Sequence, residues 1–190
     1  MKFEKEKVLN DLIEFTNQRI VSHLDELSIS KDLIKATCFI DSSSEKKIMN
    51  ILDLKNRINT INQLKGKPDF SEIQKVISRV SKLAESGNLK TTIFSCKDYV
   101  NSDLFEKECE NKVFEFIKEL EGIIKLPNWN YSQLFKLFET NSKNLDELFD
   151  NERGVLIMAE NPEIRNNRLN LLGLVRNYSL KIADFTLFNS

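Results

Sequence analysis

The chain has 190 residues, of which 41% are hydrophobic and 30% are charged, and this composition favours a folded domain over a disordered tail. Its five Gly and three Pro are too few for the turns of an all-β fold. The net charge of −1 is unevenly spread: residues 46–97 hold eleven Lys or Arg against four Asp or Glu, residues 103–152 hold six against twelve, and residues 153–190 hold five against three. One basic face on such a surface can attract phosphate, whereas the ordinary alternative is a set of solvated helix faces.

Helical periodicity governs the first half of the chain. Apolar residues at i, i+3 and i+4 spacing predict a helix over residues 3–27, and a shorter apolar run over 33–40 follows Ser30, a good N-cap. The next two helices have capping boxes at their starts and glycine at their ends; these residues are Ser42 with Glu45, Gly66, Asp69 with Glu72, and Gly87.

The second half opens with an irregular stretch and then returns to helix. Residues 87–98 are the least helical part of the chain, and one short β-like run there cannot build a sheet. Asp103 and Glu106 predict the restart of helix. Beyond it, the apolar spacing predicts two short helices, over residues 131–138 and 145–149.

The last helix has the clearest start signal in the sequence. Asn161 suits the N-cap, Pro162 the first helical position, and Glu163 the positive end of the helix dipole. The residues expected to face the core are Leu169, Leu172, Val175, Ile182 and Phe185. Together the segments predict an all-α fold, a helical bundle of seven or eight helices that forms a single domain over residues 1–190.

No motif in the chain indicates a catalytic centre or a cofactor site. There is no Gly-rich phosphate loop, dinucleotide fingerprint, metalloprotease motif or nucleophile elbow. The single His23 has no partner for a metal ion, so we expect no metal site. The carboxylates that fall at helical spacing are expected to form a solvated face rather than an acid–base pair; they are Glu106, Glu108, Glu110, Glu115 and Glu119.

The cysteines and the terminal sequence predict a reducing, intracellular setting. Cys38, Cys96 and Cys109 are odd in number and form neither a CxxC pair nor a disulfide framework. Cys109 lies among helix-forming residues and is expected in the core. The sequence also has no signal peptide and no apolar run long enough to span a membrane.

Two features suit a nucleic-acid ligand, each with a structural alternative. Trp129 can stack on an unpaired base or fill the core where two helices meet. Arg165 and Arg168 are i, i+3 neighbours that can present guanidinium groups to one phosphate path. Alternatively, the two arginines pair with Glu160, Glu163 or the acidic segment 103–152.

The carboxy-terminal sequence, LFDNERGVLIMAENPEIRNNRLNLLGLVRNYSLKIADFTLF, resembles the end of the β subunit of bacterial-type glycyl-tRNA synthetases. The segments VNSDLFEKECENKVFEFI, ISRVSKL and SISKDLIKATCF resemble upstream parts of that family less closely, whereas residues 151–154 depart from it. The positions that match its motif are Phe149, Asp150, Met158, Ala159, Glu160, Arg165, Asn167, Arg168, Leu169, Leu171, Leu172, Arg176, Ala183, Asp184 and Phe185.

The resemblance implies a DALR-type anticodon-binding domain, the carboxy-terminal part of a longer β subunit of a glycine–tRNA ligase. Its partners would be the anticodon arm of glycine tRNA and, through the rest of β, the α subunit, which activates glycine with ATP and magnesium. The chain itself would need no cofactor, membrane or DNA. The setting would be the cytoplasm or an organellar stroma or matrix.

The resemblance and the basic segments together suggest which residues touch RNA. Base or phosphate contacts are expected from the last helix and the tryptophan, and backbone contacts from the basic helix; these residues are Arg165, Asn167, Arg168, Arg176, Trp129, Lys75, Arg79 and Lys82. The alternative, from a different class, is a helical protein-interaction or scaffolding module with no RNA role.

Overall fold

The computed structural model describes residues 4–38 and 48–188, and within them it contains helices and no strand. Its α-helices are α1 (Lys5–Glu26), α2 (Lys31–Cys38), α3 (Ile51–Lys65), α4 (Phe70–Ala84), α5 (Glu108–Ile124), α6 (Tyr131–Glu147) and α7 (Pro162–Leu180). Two single 3₁₀ turns lie at Ser102–Leu104 and Phe185–Leu187. The prediction of an all-α bundle is therefore confirmed.

Helix α7 is the centre of the bundle. It packs mainly against α4 and also against α5, while α5 and α6 form an adjacent helical hairpin. Buried positions on α7 cover nearly every direction around its axis; they are residues 167–169, 171–175 and 177–179. A helix that is buried on all sides must lie inside the domain, and this one does so even though several of its residues are polar.

The start of α7 is as predicted. The Asn161 side chain accepts a hydrogen bond of 2.8 Å from the Glu163 backbone N–H, with Pro162 at the first helical position. Beyond the helix end, Phe185 packs its ring against Phe70 and other aromatic rings at centroid distances of 5.7 to 6.5 Å. This aromatic cluster joins the carboxy-terminal turn to α4 and α6.

The polar side chains of α7 hold the irregular residues between α4 and α5, which we term the 85–107 connection. Asn177 donates from Nδ2 to the carbonyl oxygens of Lys90 at 2.8 Å and Ile93 at 2.7 Å. The Asn167 amide exchanges two bonds with the Asn101 backbone, accepting at 2.7 Å and donating at 2.9 Å. Irregular backbone inside a domain needs such partners, because an unpaired buried carbonyl costs about 1–3 kcal/mol.

Gly173 permits the close approach of this connection to α7. A Cβ atom at position 173 would lie 2.9 Å from Cδ2 and 3.1 Å from Cβ of Leu89, closer than carbon atoms normally pack. The packing of Leu89 against α7 therefore offsets the roughly 1 kcal/mol cost of a glycine inside the helix.

Three predicted element boundaries are wrong, for identifiable reasons. Residues 131–147 form one helix rather than two short ones, since Thr140 and Asn141 bond to the carbonyl oxygens of Lys136 and Leu137 in the preceding turn. Helix α5 begins at Glu108 instead of near Asp103, which lies in a 3₁₀ turn.

The third boundary is the start of α3, and the caps also differ from expectation. Asn50 caps this helix by accepting from the Asp53 backbone N–H at 3.1 Å. The predicted capping box of Ser42 and Glu45 lies outside the described residues. Asp69 occupies the predicted N-cap of α4, but its side chain makes no capping bond.

Helix α1 forms as predicted but packs less than its apolar stripe suggested. None of its residues is buried, although Ile20 and Leu24 lie against the core. Val8, Leu9 and Leu12, which were expected to share that core face, are exposed. The helix therefore has more apolar surface than the domain itself covers.

We expect Asn177→Ala to lower the free energy of unfolding by about 1–3 kcal/mol, because it leaves the Ile93 carbonyl without this donor and the Lys90 carbonyl with only the Ile93 N–H. Asn170→Ala is the matched control on the same helix, since Asn170 makes a single 2.7 Å bond to the carbonyl of Tyr99 at the surface. This control should lower the free energy of unfolding, measured by urea denaturation, by less than about 1 kcal/mol. Equal losses for the two variants would contradict the assigned role of Asn177.

Candidate nucleic-acid interface

A basic stripe follows the outer face of α4. Lys75, Arg79 and Lys82 recur at i, i+4 and i+7 and are all exposed, while the opposite face of the helix is buried. None of the three makes an ion pair with any described residue. Three unpaired cations on one face form the kind of surface that attracts a phosphate backbone.

A cleft of about 530 Å³ opens beside the middle of this stripe, between α4 and the end of α6. The guanidinium carbon of Arg79 lies 4.1 Å from the centroid of the Phe149 ring, in a cation–π contact that forms one wall. The other polar residues that line the cleft are Lys143, Asn144, Asp146, Glu147, Asp150, Asn151 and Arg153. The cleft thus combines an aromatic ring with amide, cationic and anionic groups.

Two of the carboxylates in the cleft already have partners within the protein. Lys112 donates to Glu147 at 2.7 Å. The backbone N–H groups of Arg153 and Glu152 donate to Asp150 and hold the pKa of that carboxyl below its usual value. Their negative charge is therefore partly offset within the loop.

Arg153 remains open to solvent in this cleft. Its side chain is 71% exposed, and its nitrogen atoms lie 3.6 Å and 3.9 Å from the nearest carboxylate oxygens, those of Asp150 and Glu147. Exposed pairs at such distances contribute little to stability and are readily exchanged for another anion. Arg153 can therefore reach a ligand in the cleft without loss of fold.

The guanidinium of Arg168, a predicted RNA contact, is enclosed within the domain. Its RNA contact stays a prediction. The side chain is 3% exposed, and its donors reach Glu110 at 2.9 Å, Glu106 at 2.6 Å and the Leu156 carbonyl at 3.0 Å. Burial alone would lower the pKa of Arg168, but the bonds to Glu110 and Glu106 outweigh it and raise the pKa. Arg168 thus makes the ion pairs expected with the acidic segment 103–152, with Glu110 on α5 and Glu106 just before it.

Glu110 corrects the prediction of a wholly solvated acidic face. Its side chain is fully buried, while the neighbouring Glu106 is 57% exposed. The Glu110 carboxylate also accepts from the backbone N–H groups of Glu106 at 2.8 Å and Lys107 at 3.1 Å. It therefore joins the first turn of α5 to α7 through four hydrogen bonds, two of them from Arg168.

The other residues predicted on α7 divide by exposure. Asn167 is 5% exposed and bonds to the Asn101 backbone, which gives it a structural role, and its RNA contact stays a prediction. Arg176 is partly buried and donates to the Leu89 carbonyl at 2.7 Å, which gives it a structural role. Arg165 is partly exposed, with a 3.3 Å bond to the Ala159 carbonyl, and its RNA contact stays a prediction.

Trp129 lies at the far end of α6 from the cleft. The 17 residues of α6 span about 25 Å at 1.5 Å per residue, so one small ligand cannot touch both ends. Trp129 packs edge-to-face on Tyr131 at a centroid distance of 5.2 Å and lies partly buried against the core, and the Tyr131 hydroxyl donates to Asp53. Its base contact stays a prediction, separate from the basic stripe.

The residues that complete the cleft were not found by sequence reasoning. Lys143 and Arg153 lie in segments with a net acidic or mixed composition, so a charge count over long windows conceals them. Phe149 belongs to the matched carboxy-terminal motif, and that match was the available signal. Only the folded chain shows that Phe149 lies beside Arg79.

The described residues offer no obvious nucleophile or metal site. Burial raises the pKa of Cys96 to about 11, so this thiol stays protonated at neutral pH. Cys109 is 1% exposed, which confirms its predicted core position. No group of three His, Cys, Asp or Glu side chains comes together among residues 4–38 and 48–188, and no helix there is long and apolar enough to cross a membrane.

Comparison with known proteins shows similarity over almost the whole chain. The glycine–tRNA ligase beta subunit of a Picosynechococcus species is 31% identical over an alignment of 186 residues that covers 96% of this chain and 26% of that protein. The beta subunits of a Synechocystis species and of Clostridioides difficile are 28% and 26% identical, over 96% and 98% of the chain. No family model matches. This similarity confirms the resemblance predicted from the carboxy-terminal motif. The chain spans about a quarter of the length of these curated relatives.

We expect Arg168→Met to lower the free energy of unfolding by about 3–5 kcal/mol, because it leaves the Glu110 carboxylate buried without its cation. Adding Glu110→Gln should restore part of that loss. Arg165→Met, on the same helix and partly exposed, is the control and should cost less than about 1 kcal/mol. A variant at position 168 that unfolds at the wild-type urea concentration yet loses RNA binding would contradict the structural role and support Arg168 as an RNA ligand.

Proposed function

We propose that this chain is a tRNA-binding domain that recognises the anticodon arm of glycine tRNA. The proposal rests on the similarity of the chain to glycine–tRNA ligase beta subunits. The chain corresponds to about a quarter of each matched relative. In this proposal it supports the ATP-dependent glycylation of tRNA carried out by the α subunit. ATP and magnesium would bind to that subunit, and tRNA as partner implies a compartment that translates, the cytoplasm or an organellar stroma or matrix.

The observation that carries the proposal is the basic stripe on α4. Lys75, Arg79 and Lys82 are exposed on one face and unpaired with described residues. From the first to the last of them the helix rises about 10 Å, enough to follow more than one phosphate of a single strand. Phosphate contacts of this kind position a protein on RNA without reading sequence.

The cleft beside the stripe supports the recognition of unpaired bases. Glycine codons begin with two guanines, so the anticodon carries two cytosines whose Watson–Crick edges offer an amino donor beside two acceptors. The exposed guanidinium of Arg153 and the amide of Asn151 can donate to those acceptors, and Asp146 can accept from the amino group. Phe149 supplies the aromatic ring on which unpaired bases commonly stack.

A second candidate function is the protein-interaction module. It is favoured by the exposed apolar side chains of α1, which the basic stripe and the cleft do not explain. The two functions are compatible, because α1 does not line the cleft. Titration with glycine tRNA and with a transcript whose two anticodon cytosines are replaced by uridine separates them, since a pure interaction module would bind neither.

We expect the triple variant Lys75→Ala/Arg79→Ala/Lys82→Ala to bind glycine tRNA on the order of 100-fold more weakly at 0.1 M salt. Each phosphate contact contributes about 0.7 to the slope of log K against log salt for a single strand, so the slope should fall by about 2. The control, Lys31→Ala/Lys35→Ala/Lys55→Ala, removes three exposed charges from α2 and α3. If both triples weaken binding equally, the attraction comes from overall charge and the stripe is not the site.

We expect Arg153→Ala to reduce discrimination between the two transcripts by about 5- to 150-fold, the equivalent of one base-edge contact of 1–3 kcal/mol. Lys75→Ala should instead weaken binding to both transcripts alike, because a phosphate contact carries no sequence information. Fluorescence anisotropy at fixed salt measures both effects. Unchanged discrimination in Arg153→Ala would remove the cleft from the proposal and leave the stripe.

A further inference from the structure

Helix α1 carries two apolar faces, and the domain covers only one of them. Ile20 and Leu24 lie on the inner face, against the core. Val8, Leu12 and Phe15 form a second stripe, about 130° away around the helix at 100° per residue, and are 42%, 59% and 63% exposed. These three residues are termed the outer stripe. A surface helix of an independent domain normally has one apolar face and one polar face.

The outer stripe is large enough to indicate a binding surface. Together with Leu9, which lies between the two faces and is 57% exposed, it offers on the order of 400 Å² of apolar surface, if each large side chain contributes about half of the area it can bury. The largest apolar patch on a typical monomer is about 300–600 Å² and is often functional. The stripe is bordered by the exposed charges of Asp11 and Arg19, which resembles the apolar centre and polar rim of an interface.

The packing of α1 also indicates a missing partner. The helix has no buried residue, and it contacts α2 and the start of α3, where its Asn17 accepts from the Met49 backbone N–H at 3.0 Å. A helix held on one side, with few buried contacts, opens at low free-energy cost. Contact along the outer stripe would hold it on its second side.

We propose that the outer stripe docks against the part of a glycine–tRNA ligase β subunit that accompanies this region in the relatives. Each matched relative carries about three quarters of its length outside the aligned region. The available area, roughly 800 Å² over both partners, fits an inter-domain contact of 600–1,500 Å². It falls short of the 1,200–2,000 Å² of a stable dimer, which disfavours a second copy of this chain. The inference rests on the proposed function only for the identity of the partner.

The experiment compares amide hydrogen exchange in α1 between this chain alone and a chimera. In the chimera, this chain replaces the aligned 186 residues of the Picosynechococcus beta subunit. Docking should slow exchange across Lys5–Glu26 by at least about tenfold in the chimera. Exchange in α1 that is equally fast in both proteins would overturn the proposal.

The variant Leu12→Asp/Phe15→Asp should remove that protection, because it places two carboxylates within an apolar contact. Asn59→Asp/Asn62→Asp is the control, since it adds the same two charges at exposed positions of α3 and should leave the protection intact. Circular dichroism of the isolated variants should match that of the wild type, because all four substituted positions are exposed. Protection that survives in Leu12→Asp/Phe15→Asp would overturn the proposal.

Two further measurements identify the occupant and separate this inference from RNA binding. Sedimentation of the isolated chain over a range of concentrations tests the second copy; a dimer that Leu12→Asp/Phe15→Asp dissociates would overturn the proposal. Glycine tRNA binding by the isolated chain should be the same for the wild type and this variant. Loss of tRNA binding in the α4 triple variant therefore reports on the proposed function alone, and exchange in α1 reports on docking alone.

Discussion

The ion pair between Arg168 and Glu110 is the interaction on which the arrangement of the bundle depends. It lies where α7 meets the first turn of α5, and the same guanidinium also bonds to the carbonyl of Leu156 in the segment before α7. One side chain thus joins three segments that are distant in sequence. Because both charges are buried, each requires the other, and the three segments can pack in few alternative ways.

Polar groups inside the domain extend this principle along α7. Asn167 and Asn177 bond to the backbone of the 85–107 connection, whose regular structure is limited to one 3₁₀ turn. These polar side chains of α7 are therefore occupied with internal hydrogen bonds. The exposed face of α4 offers positive charge for a ligand through Lys75, Arg79 and Lys82.

Packing is uneven across the bundle, and this unevenness relates to function. The central helix α7 is buried over most of its length, whereas α1 has no buried residue and carries apolar side chains on two faces. A rigid centre keeps the α4 stripe and the Phe149 cleft in fixed relation, which suits recognition of a shaped ligand. The loosely held periphery carries the outer stripe, for which a docking contact is proposed.

The sequence alone determined the features that depend on local chemistry. Helical periodicity predicted the all-α bundle, and Asn161 with Pro162 predicted the start of α7, because caps and apolar spacing act within one or two turns. Only the tertiary structure decided the role of each charge. Arg168 and Arg79 are both arginines at helical spacing, yet the first is enclosed by two carboxylates and the second lies over Phe149 at the surface. That difference arises from segments that meet only on folding, so no local pattern encodes it.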